Sequence, residues 1–446
     1  MSKARIIASL LVAGGLVSPM AHATNGYFSH GYGMKAKGMG GVGIALPQDS
    51  LAAATNPAGM VMVGDRMDFG VDYFRPVRST STTGFSAGLG NPPFQLLPLA
   101  GPGTSAEFSA NGDSSFLIPE FGYNKMLNST SSLGVSVYGN GGMNTSYGDF
   151  NSGTLGPAAG LGGFGVGKMG VDMSQLFIAP TYSTMVTPDN AFGVSLNIVH
   201  QAISLYGIQN FAGVSNTPAA VSNNGYDSSN GWSLKLGWIG KITPDVTVGA
   251  TYQTKTRMGK FDKYKGLFAE QGNFDIPETY GIGVAVKTTP DLTLAADIQQ
   301  INYSKVPSIG NSIDNLASCN LMGGPTATTC LGGSNGAGFG WKDMTVLKLG
   351  ASYAYSPNVT LRGGFSTARQ PIPSNETFFS VIAPAVIENH LTLGATWTLP
   401  NKSELTVGYM HAFEKTVNGT NTRIGGNGVN LRMHQDSIGI AYGWKM

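Results

Sequence analysis

Residues 232–252 read WSLKLGWIGKITPDVTVGATY, and this stretch decides the fold class. Apolar side chains alternate with small or polar ones on both sides of Thr243-Pro244-Asp245-Val246. An alternation with period two is typical of a β-strand that has one apolar face. Proline sets the backbone angle that a tight turn needs, and the Asp or Asn after it can bond the turn backbone. The stretch therefore predicts two antiparallel strands joined by a short turn.

The same turn signature occurs at four further places, Thr187-Pro188-Asp189-Asn190, Thr289-Pro290-Asp291-Leu292, Ser356-Pro357-Asn358-Val359 and Leu399-Pro400-Asn401-Lys402. Asn128-Ser129 supplies one more tight turn. Successive turns are far enough apart for a strand, a long loop and a returning strand. Short periplasmic turns and long external loops are typical of a transmembrane β-barrel. Counting outward from the turns predicts fourteen strands, near residues 65–78, 114–126, 131–146, 173–186, 191–208, 229–242, 246–261, 275–288, 292–304, 343–355, 358–369, 386–399, 403–416 and 432–446.

Composition favours a membrane barrel over a soluble sandwich. Charged residues make up 12% of the chain, about half the usual share for a soluble protein, and glycine contributes 64 of 446 residues. In a soluble sandwich the apolar strand faces would form the core, whereas in a membrane barrel they face lipid. Trp238, Trp397 and Trp444 lie near strand ends, as an interfacial aromatic girdle requires. We expect an all-β fold, a fourteen-stranded antiparallel transmembrane β-barrel over residues 65–446.

The first residues predict export. Lys3 and Arg5 precede a short apolar run, residues 6–17, and residues 21–23 (AHA) form a small-x-small cleavage site. The run is too short for a membrane helix, so residues 1–23 are interpreted as a signal peptide. Without Lys3 and Arg5 the formal net charge falls from +2 to zero, and nothing indicates nucleic acid as a partner.

Residues 24–64 belong to no predicted strand. They are rich in glycine, and Asp49 or Ser50 could cap a short helix that Asn56-Pro57 would end. The GxGxxG spacing within residues 38–43 follows no βαβ strand, so a dinucleotide site is not expected. A disordered periplasmic tail is one alternative. The other is a compact plug inside the barrel, which the apolar side chains of this segment favour.

With these features the chain resembles the FadL-type outer-membrane transporters of long-chain fatty acids, a family that includes importers of aromatic hydrocarbons. The resemblance rests on the signal, the Gly-rich stretch 31–43, Asp49-Ser50, the triplet Asn56-Pro57-Ala58 and the fourteen-strand pattern. It implies that residues 24–64 form a hatch that plugs the lumen, with Asn56, Pro57 and Ala58 in it. It also implies a monomer in the outer membrane of a Gram-negative bacterium, in contact with lipid and lipopolysaccharide.

Two further features suit an apolar cargo. The predicted external loops contain Phe94, Leu96, Leu97, Leu99 and Phe164, which could bind acyl chains at about 0.8 kcal/mol per buried CH₂ or could only pack the loops together. The third predicted strand contains Gly139-Asn140-Gly141-Gly142, and glycines inside a strand mark a bulge or bend. In the family that the chain resembles, a kink in this strand opens the wall beside the hatch; a loop that starts early is the alternative.

A carboxylate cargo would need a cation or hydrogen-bond donors. By strand parity Lys235, Lys348 and Arg362 face the lumen, where they could bind cargo or pair with acidic groups such as Asp297. Cys319 and Cys330 fall in one external loop and predict a disulfide rather than a metal site. No cofactor or metal is expected.

The sequence favours passive transport of long-chain fatty acids, by loop capture, hatch movement and lateral exit, over other functional classes. A general diffusion porin would have a charge-rich lumen and polar loops, and this sequence has neither. His434, Asp436 and Ser437 lie in one strand without a nucleophile elbow, so an enzyme is not expected. Uptake of aromatic hydrocarbons and lipid export remain open as alternative uses of the same fold.

Overall fold

The computed structural model describes residues 25–82, 106–148, 150, 164–319, 328–420 and 428–446. Its strands are β1 (Arg66–Thr82), β2 (Ala106–Ser109), β3 (Phe116–Met126), β4 (Ser131–Tyr147), β5 (Met169–Thr187), β6 (Asn190–Tyr206), β7 (Asp227–Thr243), β8 (Val246–Gln253), β9 (Arg257–Met258), β10 (Thr279–Lys287), β11 (Leu292–Ile301), β12 (Met344–Ser356), β13 (Val359–Ala368), β14 (Asn389–Thr398), β15 (Glu404–Val417) and β16 (Val429–Lys445). The predicted signal peptide lies outside the described residues.

These strands form one antiparallel sheet, and pairing of β16 with β1 closes it into a barrel. Within the described residues the wall has fourteen strands in sequence order, while the short β2 pairs with β1 and the short β9 with β7. The predicted fourteen-stranded barrel is thus confirmed. The largest difference from the predicted bounds is in β8, which ends at Gln253 instead of near residue 261. Beyond it only β9 and a single bridge between Thr256 and Ile276 continue the pairing.

The five proline turns join neighbouring wall strands at one end of the barrel. In two of them the threonine before proline accepts the turn amide: Thr243 Oγ1 from Val246 N and Thr289 Oγ1 from Leu292 N, both at 3.1 Å. In the last turn Asn401 Oδ1 accepts from Ser403 N at 3.1 Å. The expectation that Asp or Asn after the proline makes these bonds is therefore wrong for the turns at Thr243 and Thr289. The hydroxyl is better placed because it precedes the chain reversal.

Side chains alternate between the two faces of the wall as predicted. On β7, Leu234 and Leu236 are 39% and 52% exposed, whereas Ser233 and Lys235 are buried. The exposed face is therefore the apolar one and the buried face is polar. This arrangement is opposite to that of a soluble sandwich and matches a barrel whose outer surface meets hydrocarbon.

Residues 25–64, called the hatch below, lie inside the barrel. The segment contains a short α-helix, Met34–Lys37, and two 3-10 helices, Ala52–Ala54 and Pro57–Met62. The first contacts β14, β15 and β16, and the last contacts β4 to β7. The expected helix capped by Asp49 or Ser50 is only the 3-10 turn Ala52–Ala54, and the expected cap is wrong because Leu51 is its N-cap, without a side-chain cap bond. Asn56 begins the next helix by accepting from Ala58 N. Among the described residues, no helix is long and apolar enough to span a membrane.

The long loops fold over the other end of the barrel and share one apolar core with the first residues of the hatch. This core includes Tyr27 and Phe28 from the hatch together with Trp341, Phe378 and many other buried side chains. Cys319 and Cys330 are bonded to each other in one of these loops. The barrel is consequently filled at both levels, by the hatch below and by the loops above.

Candidate functional site

The Asn56-Pro57-Ala58 triplet lies at an interface between the hatch and the wall. The buried Asn56 Nδ2 donates to one hatch carbonyl at 2.7 Å and to one carbonyl of β7 at 3.1 Å. Its Oδ1 accepts from Ala58 N at 3.1 Å. A Cβ on Gly237 of β7 would lie 1.9 Å from this oxygen and 2.8 Å from Pro57 Cδ. The triplet therefore docks the hatch against a wall glycine, and its role in gating stays a prediction.

Gly237 is one member of a glycine belt that surrounds the hatch. On β13, a Cβ on Gly364 would lie 2.2 Å from Gly40 N and 2.3 Å from Met39 C, so the two backbones touch. At every member of the belt an added Cβ would lie 3.3 Å or less from a hatch atom. The members are Gly122, Gly134, Gly193, Gly237, Gly249, Gly281, Gly283, Gly350, Gly364, Gly394, Gly408 and Gly439.

The three cations proposed from parity all contact the hatch. Lys235 and Lys348 are buried, and their ammonium groups donate to main-chain carbonyls of Ala54 and Gly41 respectively. The half-buried Arg362 donates to Gln48 Oε1 at 2.8 Å. In this state their donors hold the hatch, and binding of cargo by any of them remains a prediction.

Buried ion pairs, which the sequence analysis did not predict, hold the short α-helix of the hatch against the wall. Lys35 Nζ lies 2.6 Å from Glu404 Oε2, and Lys37 Nζ lies 2.9 Å from Asp72 Oδ2. Asp297 Oδ2 accepts from two hatch amides at 2.8 and 3.1 Å. Desolvation of such buried charges is offset only when partners and hydrogen bonds are present, as they are here. Strand alternation places these wall carboxylates on the lumen side, and the hatch contains two lysines. Together these two features could have predicted the ion pairs from the sequence.

The wall is incomplete between β3 and β4. β4 pairs with β3 only over Ser132–Val137, and in the described residues no ladder joins Phe116–Glu120 of β3 to β4. Beyond that point β4, residues 138–147, is buried on both faces. We call this gap the β3–β4 seam. Opposite it, the register of β4 on β5 shifts between Gly139 and Gly141, so a bulge occupies the predicted kink.

The first residues of the hatch, 25–32, fill the inner side of the seam; we call them the hatch tip. Tyr27 O accepts from Gly142 N at 3.0 Å, and Ser29 N donates to Asn140 O at 2.8 Å. A Cβ on Gly141 would lie 1.7 Å from Tyr27 O. The glycine cluster thus bends β4 and also leaves room for the hatch tip, while lateral opening there stays a prediction.

A row of buried amides leads away from the bulge. Asn140 accepts from Tyr32 Oη at 2.8 Å and donates to Gln175 at 3.1 Å. Gln175 in turn donates to Gln201 at 3.2 Å, and Gln201 donates to Phe274 O at 3.0 Å. This amide row couples the hatch tip to strands β4, β5 and β6. Sequence parity places these side chains inward but gives no sign that they contact each other.

Aromatic rings from the external loops form a lid above this row. Phe164 is fully buried, with ring centroids 5.0 Å from Phe211 and 4.9 Å from Phe378. A cavity of only about 20 Å³ lies beside Phe211 and Phe379, too small for a cargo molecule. The lid is therefore closed over this cavity. The predicted loop residues Phe94, Leu96, Leu97 and Leu99 lie outside the described residues.

Side-chain positions give no support for catalysis at His434. Its side chain is partly exposed on the outer face of β16, whereas Ser437 is buried on the inner face. Within the described ranges, no group of three or more His, Cys, Asp or Glu side chains is arranged to hold a metal ion.

Comparison with known proteins gives a consistent result. The family model described as outer membrane protein transport protein (OMPP1/FadL/TodX) matches residues 20–446. A search of curated protein sequences found no match.

Among solved structures, the P. putida toluene transporter TodX is similar, with a TM-score of 0.66 and 17% identity over 94% of this chain and 99% of TodX. The Ralstonia pickettii toluene transporter TbuX has a TM-score of 0.61 and 18% identity over 94% and 99% of the two chains. A Pseudomonas aeruginosa FadL homologue has a TM-score of 0.64 and 14% identity over 94% and 99%. At these identities the structural likeness establishes the fold.

Proposed function

Because this chain belongs to the OMPP1/FadL/TodX family, it is an outer-membrane transport protein for hydrophobic compounds and not an enzyme, and we propose that it carries long-chain fatty acids by passive lateral exit. The observation that carries the proposal is the β3–β4 seam with the hatch tip seated in it. Cargo is captured by the external loops, displaces the hatch tip and leaves sideways through the seam.

The part of the hatch after residue 32 blocks any straight path through the lumen to the periplasm. Its backbone touches the glycine belt on most wall strands, and buried ion pairs join Lys35 and Lys37 to β15 and β1. Residues 33–64, called the hatch base, are therefore held on all sides. This packing argues against a general diffusion porin, whose lumen must admit water.

The hatch tip, unlike the base, makes no ion pair among the described residues. Its contacts are main-chain hydrogen bonds to β4, the Tyr32–Asn140 bond, two bonds with the hydroxyl of Tyr303 and aromatic packing of Tyr27 and Phe28 against Tyr303. Each hydrogen bond contributes about 1 kcal/mol and each buried ring about 1.5–3 kcal/mol, so the tip moves when cargo replaces these apolar contacts. We therefore assign the moving part of the hatch to the tip and the fixed part to the base.

Cross-linking the base to the wall tests this division. Lys35 Nζ lies 2.6 Å from Glu404 Oε2, so a carbodiimide can join the two side chains as an amide without inserting a spacer. We expect the cross-linked protein to take up radiolabelled oleate at the same rate as untreated protein, because the base does not move. Loss of uptake on treatment of the wild type but not of Lys35→Gln, which cannot form the amide, would show that cargo needs the whole hatch to leave.

The seam itself is tested by the glycine cluster. Bulky residues at Gly139, Gly141 and Gly142 should slow uptake because they fill the space that the tip and the cargo share. Unchanged rates in a folded barrel would remove lateral exit from the mechanism.

Two of the similar solved structures are toluene transporters, and this favours aromatic hydrocarbons as the second candidate cargo. Lipid export by the same passive path is a further alternative, since the gradient sets the direction. A binding screen of purified monomeric protein against oleate and toluene separates the two uptake candidates: tighter binding of toluene would overturn the fatty acid assignment.

A further inference from the structure

One buried cation at the loop end of the β3–β4 seam has no carboxylate partner in the described residues. Arg78, on the inner face of β1, is 1% exposed. Its guanidinium donates to three main-chain carbonyls: Asn144 at 2.6 Å, Ala110 at 3.2 Å and Asp113 at 2.5 Å. Its Nε has no hydrogen-bond acceptor among the described residues. Carbonyl dipoles surround the charge without neutralising it.

This arrangement differs from that of the other buried cations on the hatch side of β1. Arg66 lies 2.6 Å from Asp68 and Lys37 lies 2.9 Å from Asp72. A buried charge without a counter-ion is costly, and such a site gains when an anion is supplied from outside. Arg78 therefore has unused capacity for an anionic group.

The position of Arg78 relates it to the seam. Asn144 belongs to the part of β4 that has left β3, whereas Ala110 and Asp113 immediately precede β3. The guanidinium therefore joins the two edges of the seam at its external end. Phe74 of β1, Phe116 of β3 and Tyr147 of β4 belong to the large apolar core of the molecule. An anionic head at Arg78 would leave an apolar chain to follow the seam.

A cleft of about 390 Å³ lies on the outer face of the wall at this level, where Arg432 and His434 line it. Each of these basic side chains has an acidic neighbour: Arg432 contacts Glu107, and His434 Nδ1 lies 3.7 Å from Glu414. The Arg78 guanidinium lies on the opposite, inner face of β1, so an anion would have to reach it through the seam and not through this cleft.

We propose that Arg78 binds the carboxylate of a fatty acid at the external end of the β3–β4 seam. The inference rests on the proposed function and names the residue that selects an acidic cargo. Held there, the head group stays at the water-facing level while the acyl chain points through the seam into the bilayer. An uncharged hydrocarbon of the same length gains nothing from this site.

Binding of dodecanoate and of 1-dodecanol to purified protein in detergent tests the proposal, because the two ligands share a chain and differ in charge. We expect Arg78→Gln to weaken dodecanoate binding about tenfold or more while dodecanol stays within about twofold. Arg78→Lys, which keeps a charge, should retain part of the preference for dodecanoate. Arg432→Gln removes an arginine from the outer face of the same end of the wall and, as the control, should change neither ligand.

Heat-modifiable electrophoretic mobility confirms that each variant is folded. If Arg78→Gln weakens binding of both ligands equally, the role of Arg78 is structural and the proposal is overturned. Unchanged binding of dodecanoate would overturn it as well. If the wild-type protein binds dodecanoate no more tightly than dodecanol, this inference is refuted while the proposed function stands. Wild-type protein that binds neither ligand refutes the proposed function itself.

Discussion

Replacing Gly364 with alanine should loosen the hatch, whereas the same replacement at the adjacent Gly363 should not. The added Cβ at position 364 would lie 2.2 Å from Gly40 N and 2.3 Å from Met39 C, both backbone atoms that cannot rotate away. At position 363, on the outer face of the same strand, the nearest atom would be 3.8 Å away. The pair therefore separates contact with the hatch from any general effect of alanine on β13.

The size of the effect follows from the contacts that must yield. Overpacking of a tight interface costs about 1–3 kcal/mol. A shift of Gly40 also strains its bond to Thr392 Oγ1, now 2.7 Å, and the contact of Lys348 with Gly41 O, at about 1 kcal/mol for one lost bond. Together these terms predict a loss of roughly 2–4 kcal/mol, which is about a 30- to 700-fold shift toward an unseated hatch.

Single-channel recording in planar bilayers measures this shift. Wild type and Gly363→Ala should be closed for nearly all of the recording, and Gly364→Ala should show frequent large openings. Heat-modifiable mobility establishes that both variants form barrels. If folded Gly364→Ala opens as rarely as Gly363→Ala, close contact at the glycine belt does not hold the hatch, and the reasoning fails.

Three further predictions concern the hatch and the loops. Asp72→Asn leaves buried Lys37 with a weakened partner and should raise the open fraction by an amount corresponding to about 3 kcal/mol, measured in the same recordings. Burial, aided by the Lys37 ammonium, lowers the pKa of His30 to about 3, so hatch docking should weaken as the pH falls below 6.5, by up to about 1.4 kcal/mol per unit. His30→Gln should reduce this acid sensitivity, leaving the part due to the stacked His390, and a variant that opens in acid as wild type does would contradict the prediction. Reduction of Cys319–Cys330 should speed proteolysis of its loop and leave barrel mobility unchanged; loss of the barrel band would contradict a role confined to the loop.

The wall of the barrel was predictable because its signal is local. Period-two alternation gives each strand its two faces, and a proline turn fixes where one strand ends and the next begins. Lys235 and Lys348 were assigned to the lumen by parity alone, and both are buried there. The end of β8 was misplaced because residues 254–261 contain no proline turn that would mark the end of the strand.

The contacts that make the candidate site were not predictable, because they join distant parts of the sequence. Lys35 meets Glu404 across almost the whole chain, and no local pattern specifies that partner. Gly139 and Gly141 predicted an irregular strand, which the bulge confirms. Their sequence could not reveal that β3 loses its neighbour there or that the hatch tip pairs with β4 instead.

The order of the layers in the lumen explains why exit should be sideways. Cargo that has passed the aromatic lid meets the amide row of Asn140, Gln175 and Gln201, and below it the charged hatch base. Inserting an alkyl chain between buried amides would separate donors from acceptors at about 1–3 kcal/mol for each group left unpaired. Each CH₂ that leaves water for hydrocarbon gains about 0.8 kcal/mol. The seam begins at the level where the row starts, so under the proposed function cargo would leave sideways where the downward path becomes unfavourable, driven by its own gradient.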